Sequence, residues 1–362
     1  MILNQASNIM LGNQEVQRVY LGKTLVWERK RNQYDPQKIA VILLDSQNNL
    51  TSTISYFEQY DNAKNFIKNN ATNHYALYIG KEFAEKNNMA GSAFSSLTNL
   101  ISVYFSGSGA SLFASNGRQF ENCINLETVT IEGNSSVLPQ YCFSGCTLLK
   151  EIHIPDSVQE LGAGCFQNCT DLHDFSFPEN LSQIGSWCFR ASGISTLNLN
   201  YENIHISSGA FQNCQNLCTA NVGHVVNGNN TPSSLFQGCS HLLSVVFSGD
   251  ALWGNTFRGC TELYELILKN VVTIETNNFL DCSNLEEIYF PDSVASIKNY
   301  QFSKNSGIQY IHIGNGISEI ASYAFQNTPY LQEIHLEKSE GTVSGAPWGA
   351  DRKTVAVTYE KE

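Results

Sequence analysis

Cysteine and histidine are the residues of this 362-residue chain with the most chemistry to offer, eleven of the first and eight of the second. Seven cysteines (Cys123, Cys146, Cys169, Cys214, Cys239, Cys260, Cys282) stand three residues after a phenylalanine. Three more (Cys142, Cys165, Cys188) immediately precede one, and Cys218 falls in neither column. Pairs such as Cys142/Cys146 offer two thiolates to zinc. Their spacing follows a repeat rather than a ligand set, so it predicts reduced, buried thiols packed as a ladder. His312 and His335 occupy equivalent positions with Glu333 beside them, but no third convergent ligand is evident, so no metal site is expected. No Ser/His/Asp arrangement is identifiable. Gly107-Ser108-Gly109 lacks the following Lys-Ser/Thr and helix of a phosphate loop. Adjacent-strand carboxylates such as Glu265 and Glu287 would lie about 5 Å apart, a separation that suits a retaining glycosidase. They sit on an open face with nothing to exclude water, so the enzyme reading is rejected and no cofactor is expected.

The elements that place these residues repeat. Phe94, Phe120, Phe143, Phe166, Phe189, Phe211, Phe236, Phe257, Phe279, Phe302 and Phe325 recur at intervals of 21 to 26 residues, most often 23. Such a period predicts a solenoid, in which each unit buries its core against its neighbours. Counting from the Phe, positions +6, +9 and +11 are apolar, as in Leu149/Ile152/Ile154 and Leu285/Ile288/Phe290. The +9/+11 alternation is that of a strand with one buried face. A Pro-Asp-Ser-Val turn or its equivalent follows, then a second apolar pair such as Val158/Leu161 or Val294/Ile297. That turn is missing between Asn198 and Ser208 and between Val222 and Ser233, which predicts irregular convex sides there.

Positions +8 and +10 then face solvent, on the surface that solenoids use for binding. Most of these residues are small or polar. Val246, Ile267, Tyr289 and Tyr310, with Tyr264 beside them and His312 in the same column, form a candidate partner-binding patch ringed by acids. Scattered surface apolars without a role are the competing reading.

Residues 8–29 read as a small β-meander with turns at Gly12-Asn13 and Gly22-Lys23. Three short strands are marginal alone, so Val19, Tyr20, Leu21, Leu25 and Trp27 are candidate docking residues. The basic balance of residues 1–38 suits either a solvated linker or contact with an acidic partner. Ile39–Leu44 reads as a buried strand, 57–70 as a helix and 75–79 as a strand, together a small α/β cap. The expected division is 1–32, an attachment segment; 33–90, the cap; 91–340, about eleven repeats; and 341–362, a closing strand with Trp348 over the last apolar layer. A net charge of −12 argues against nucleic acid as a partner. No run approaches the length of a membrane span. The first residues lack the charged region and apolar core of a secretory signal, so the chain is expected either to work without one or to start artificially at Met1.

The phrase Ala-Phe-x-x-Cys-x-x-Leu-x-x-Ile-x-Ile-Pro-x-Ser-Val-x-x-Ile-Gly resembles the BspA-type (Treponema-type) leucine-rich repeat family, over about 250 residues. Departures are Leu97, Asn305 and Thr328 in place of the cysteine at +3. The resemblance implies an α/β-type solenoid with a parallel sheet, surface adhesion and protein or glycan binding, and no catalytic residues. Residues 8–29 resemble an N-terminal segment of phage and prophage structural proteins, and Pro347-Trp348-Gly349-Ala350 a closing segment that follows such repeats in phage-type proteins. Together these imply a virion component (tail fibre, baseplate or head fibre) assembled in the host cytoplasm. Its N-terminus would bind other virion proteins and its repeats a host-surface protein or glycan, with homo-oligomerisation left open. A bacterial cell-surface adhesin and a non-catalytic intracellular scaffold are the alternatives.

Overall fold

The computed structural model describes residues 9–11, 14–21, 24–30, 34–87, 89–106, 116–132, 134–226, 232–302 and 307–360. They form two compact units, Met1–Val158 and Gln159–Glu362, divided inside the repeat array. Both are built from turns of a parallel β-solenoid, about eleven in all, with few helices.

The first unit opens on β1 (Ile9–Leu11), β2 (Gln14–Leu21) and β3 (Thr24–Lys30), an antiparallel sheet with Val19 opposite Trp27. The meander is therefore present. Its Gly12-Asn13 and Gly22-Lys23 turns, and the side chains of Val19, Tyr20, Leu21, Leu25 and Trp27, lie outside the described residues. Then follow β4 (Ile39–Leu44), β5 (Leu50–Phe57), α1 (Tyr60–Asn69), β6 (Tyr75–Ile79), α2 (Lys81–Lys86), β7 (Leu100–Phe105), β8 (Thr128–Ile131), the short β9 (Val137–Leu138) and β10 (Glu151–His153). Phe57, expected in the helix, instead ends β5, and the helix is correspondingly shorter. One sheet runs β10-β8-β7-β6-β4-β5, parallel from β10 to β6 and antiparallel at β4 and β5. The α/β segment thus extends the repeat sheet strand to strand. Helix α1 buries Ala63 and Ile67, and Asn99 donates to Ile67 O at its C-terminal end (3.0 Å). Alternate residues on the sheet's other face, Ala40, Ile42, Ala76, Tyr78 and Tyr104, form a second cluster with Tyr34, Leu50 and Ile54. This corrects one expectation. Thr128, a +8 residue assigned to the solvent face, is 4 % exposed. Its register partner is Ser102, two residues before the clustered Tyr104, so the face is covered here.

In the second unit short strands alternate with the face strands of the repeats. The order is β11 (Glu160–Leu161), β12 (Gln183–Ile184), β13 (Thr196–Leu199), β14 (His205–Ile206), β15 (Thr219–Val225), β16 (Ser244–Gly249), β17 (Ala251–Leu252) and β18 (Glu265–Lys269). It continues with β19 (Thr273–Ile274), β20 (Glu287–Phe290), β21 (Ser296–Ile297), β22 (Tyr310–Ile313), β23 (Glu319–Ile320), β24 (Glu333–Leu336) and β25 (Ala356–Tyr359). The face strands pair in parallel as β13-β15-β16-β18 and as β20-β22-β24-β25. The short strands pair as β11-β12-β14 and β17-β19-β21-β23. The missing turn between Asn198 and Ser208 does not disturb this ladder, because β14 still pairs with β12. Beyond Val222, where a bulge is present, residues 227–231 lie outside the described residues.

The repeat phenylalanines are buried, and most successive rings stack. Phe189 and Phe211 lie 5.5 Å apart and 10° from parallel, and Phe236 and Phe257 5.8 Å and 6°. In the units from Phe94 to Phe279 the chain turns around the Phe through two left-handed residues, at −2 and +2. In the Phe211 unit these are Gly209 (φ 63°) and Asn213 (φ 59°). This explains the run of Asn, Gly and Asp at +2, which tolerate positive φ. The turn points backbone N–H groups along the stack: Phe211 N donates to Leu235 O (3.1 Å) and Asn213 N to Gln237 O (2.8 Å). The ladder of cysteines is present, and its role is more specific than filling. Cys214 Sγ donates to Phe189 O (3.0 Å), Cys239 Sγ to Phe211 O (3.0 Å) and Cys282 Sγ to Phe257 O (3.0 Å). A small thiol at +3 fills its site and satisfies a buried carbonyl of the preceding unit.

Phe175 and Phe177, expected to fill the +9 and +11 slots, are only half-buried, and no strand forms there. Their rings crowd each other at 4.7 Å and lean on Phe189, because Phe175 stands in the +9 slot, which in the other units holds Val, Ile, Leu or Ala, beside a second phenylalanine at +11. At the C-terminus Trp348 is 1 % exposed and edge-on to Phe325 (6.2 Å, 86°). Its carbonyl accepts from Phe325 N (3.0 Å), as a further repeat would.

Candidate functional site

Strand alternation turns Leu197, Ala220, Val245 and Ile288 into the core and the residues beside them outward. Register places Asn198, Asn221, Val246 and Ile267 in one row across β13, β15, β16 and β18, with Thr196, Thr219, Ser244 and Glu265 in the row beside it. Asn221 Nδ2 donates to Asn198 Oδ1 (3.3 Å). These two rows line a shallow groove of about 380 Å³.

The row resumes on β20 with Tyr289, His312 and His335 in register, and Glu287, Tyr310 and Glu333 beside them. Here the side chains interlock. Tyr289 and His312 stack with centroids 4.3 Å apart and planes 7° from parallel. Glu287 Oε1 accepts from the Tyr289 hydroxyl (2.9 Å) and lies 2.8 Å from His312 Nε2. That carboxylate raises the Tyr289 phenol above its usual pKa, since ionising it would place two negative charges together. His335 Nδ1 lies 2.8 Å from Thr358 Oγ1, which donates to Glu333. The Tyr310 hydroxyl donates to Gln332 Oε1 (3.1 Å).

Between the two halves lies a seam. No hydrogen-bonded pairing joins β18 to β20 among the described residues, although the two strands are neighbours. Leu266, at a +9 position that is buried in both adjoining units, is half-buried. Tyr264, Ile267 and Tyr289 flank the seam at 60 %, 44 % and 58 % exposure.

Five of the six patch residues expected from sequence are therefore distributed about one feature: Val246, Tyr264 and Ile267 on one side, Tyr289 and His312 on the other. Tyr310 stands apart, half-buried in the other row and held by Gln332. Sequence reasoning ranked residues by apolar bulk, and so passed over Glu287, which fixes both Tyr289 and His312, and the Thr/Asn rows of the groove. The column count that located Tyr289 also locates those residues. Among the described residues no group of three metal-ligating side chains converges, and no helix is long and apolar enough to cross a membrane.

Among solved structures, the chain is similar to a leucine-rich repeat protein from Bacteroides ovatus at 17 % identity, covering 97 % of this chain and 100 % of that one, with a TM-score of 0.47. It is similar to the T. pallidum leucine-rich repeat protein at 22 % identity over 58 % of this chain and 83 % of that one (TM-score 0.33). It is also similar to the pneumococcal vaccine antigen PcpA at 17 % identity, covering 79 % and 81 % (TM-score 0.39). No curated protein matches the sequence. The model of the BspA type leucine rich repeat region matches in overlapping stretches, residues 67–150, 87–218, 136–253 and 229–345, which contain ten of the eleven cysteines at their +3 and −1 columns and every repeat Phe described above. With well over half its length matched in this way, the chain belongs to the BspA-type leucine-rich repeat family.

Proposed function

We propose that this is a non-catalytic recognition protein whose repeat-sheet face contacts a protein or glycan on a host surface. The observation that carries this reading is the exposed set Tyr264, Ile267 and Tyr289 about one seam, beside Glu265 and Glu287. Large apolar groups grouped on a sheet face and rimmed by charge are how interfaces are made. The attachment role belongs to the N-terminal sheet. A three-stranded sheet is marginal alone, and docking onto a larger assembly would complete it. That assembly is read as a virion tail, baseplate or head fibre; the same face would serve a bacterial surface adhesin.

Two experiments test the two halves of the proposal. Deleting residues 1–32 should abolish incorporation into particles while leaving the repeats folded; particles that still carry the truncated chain would refute docking. Replacing Tyr289 and Tyr310 with Ala should reduce binding to host cells, Tyr289→Ala the more strongly. Unchanged binding by both variants would remove the face from consideration.

A further inference from the structure

We propose that the groove and seam of β13–β20 bind a neutral oligosaccharide, with a pyranose ring seated on Tyr289. This inference rests on the recognition reading above and names its ligand class.

The Tyr289 ring is held rigidly. One face lies on His312 and its hydroxyl is fixed by Glu287. With one face covered, a residue still 58 % exposed offers its other face to the seam, toward Ile267. A rigid π-face beside a polar wall suits a ring whose axial hydrogens are apolar and whose edge carries hydroxyls. Across the seam the groove supplies that wall: Asn198, Asn221, Thr196, Thr219 and Ser244 offer uncharged donors and acceptors, repeated at strand spacing. A ligand that repeats a similar set of hydroxyls along its length meets them in succession. The groove volume of about 380 Å³ is in the lower part of the range for small-ligand sites.

Charge then narrows the class. The two outward rows from β13 to β24 carry Glu265, Glu287 and Glu333 and no lysine or arginine. Sulfated, phosphorylated or sialylated sugars would bring a carboxylate, sulfate or phosphate against this acidic wall, where Lys269 at the end of β18 is the one lysine or arginine on the face strands to set against three carboxylates. The occupant is therefore a neutral glycan.

The test is an array of neutral oligosaccharides and their acidic counterparts, probed with the full chain and with Tyr289→Ala, Tyr289→Phe and Asn221→Ala. Neutral glycans should be retained, and acidic counterparts should bind at least about tenfold more weakly. Tyr289→Ala should lose about tenfold or more and Asn221→Ala several-fold, while Tyr289→Phe, which keeps the ring, stays near the parent. Thermal melting checks that each variant is folded. An array with no neutral hit, or hits that Tyr289→Ala leaves unchanged, overturns the proposal. Host-cell binding separates this failure from that of the recognition reading. If Tyr289→Ala abolishes cell binding but the array is blank and periodate treatment of the cells has no effect, the face binds a protein and only the glycan inference falls.

Discussion

The cysteines at +3 are buried, and six of them, among them Cys123 to Phe94 O and Cys146 to Phe120 O, act as donors. Burial pushes the Cys123 thiol up to about 12, and those of Cys142, Cys239 and Cys282 well above the ordinary value. A thiol that does not ionise is a poor nucleophile. In the native protein a thiol reagent at pH 8 should therefore modify Cys218, the exposed cysteine, and reach the other ten only on unfolding; a count above one under native conditions would contradict the ladder. The same shifts set an alkaline limit on stability. Unfolded thiols lose their protons near pH 9, whereas those of Cys123, Cys142, Cys239 and Cys282 in the folded protein keep theirs. The unfolded state then binds fewer protons, and stability falls as pH rises from about 9 towards 12. Urea midpoints measured between pH 7 and pH 10.5 should decrease, and less steeply in a Cys123→Ala/Cys282→Ala variant.

The convex turn shows how an element is specified by two columns at once. Asn213 takes positive φ at +2, and the next unit answers with Gly238, where an added Cβ would meet Asn213 Oδ1 at 2.2 Å. Gly238→Ala should cost about 1–2 kcal/mol or more from the left-handed backbone alone, measurable by chemical denaturation. Phe236→Ala, one layer inward, should cost about 3–5 kcal/mol. The positions of strands, phenylalanines and thiols were legible from the period, because a solenoid copies one local solution many times. What the period could not show were departures from it. The widths of Phe175 and Phe177 matter only against slots sized by neighbouring units. Strand β5 has no fully buried residue and no repeat partner to reveal it. The seam beside β20 depends on pairing between strands, which no single strand encodes. Half of the site was legible for the same reason: Tyr289 and His312 fall in the counted column, but their anchoring by Glu287 depends on a rotamer and a distance.

At the scale of the molecule, stability in a repeat array is shared through neighbour contacts, so an uncovered end is the weak point. Trp348 occupies that place after Phe325. Trp348→Ala should lower the midpoint by an amount like that of a core truncation, about 3–5 kcal/mol, and should raise amide exchange first in β24 and β25. If exchange rises instead around β13 and β15, Trp348 does not act as an end cap. The seam has a related consequence within the second unit. On the convex side the chain stays tied across it, Phe257 N to Asn278 O and Gly259 N to Leu280 O, and the short strands β19 and β21 pair without interruption. On the sheet side β18 and β20 share no such bonds. Bending there would strain few interactions on the face and leave the convex ladder whole, so under load this is the place where the face would give first while the spine of the solenoid keeps its length.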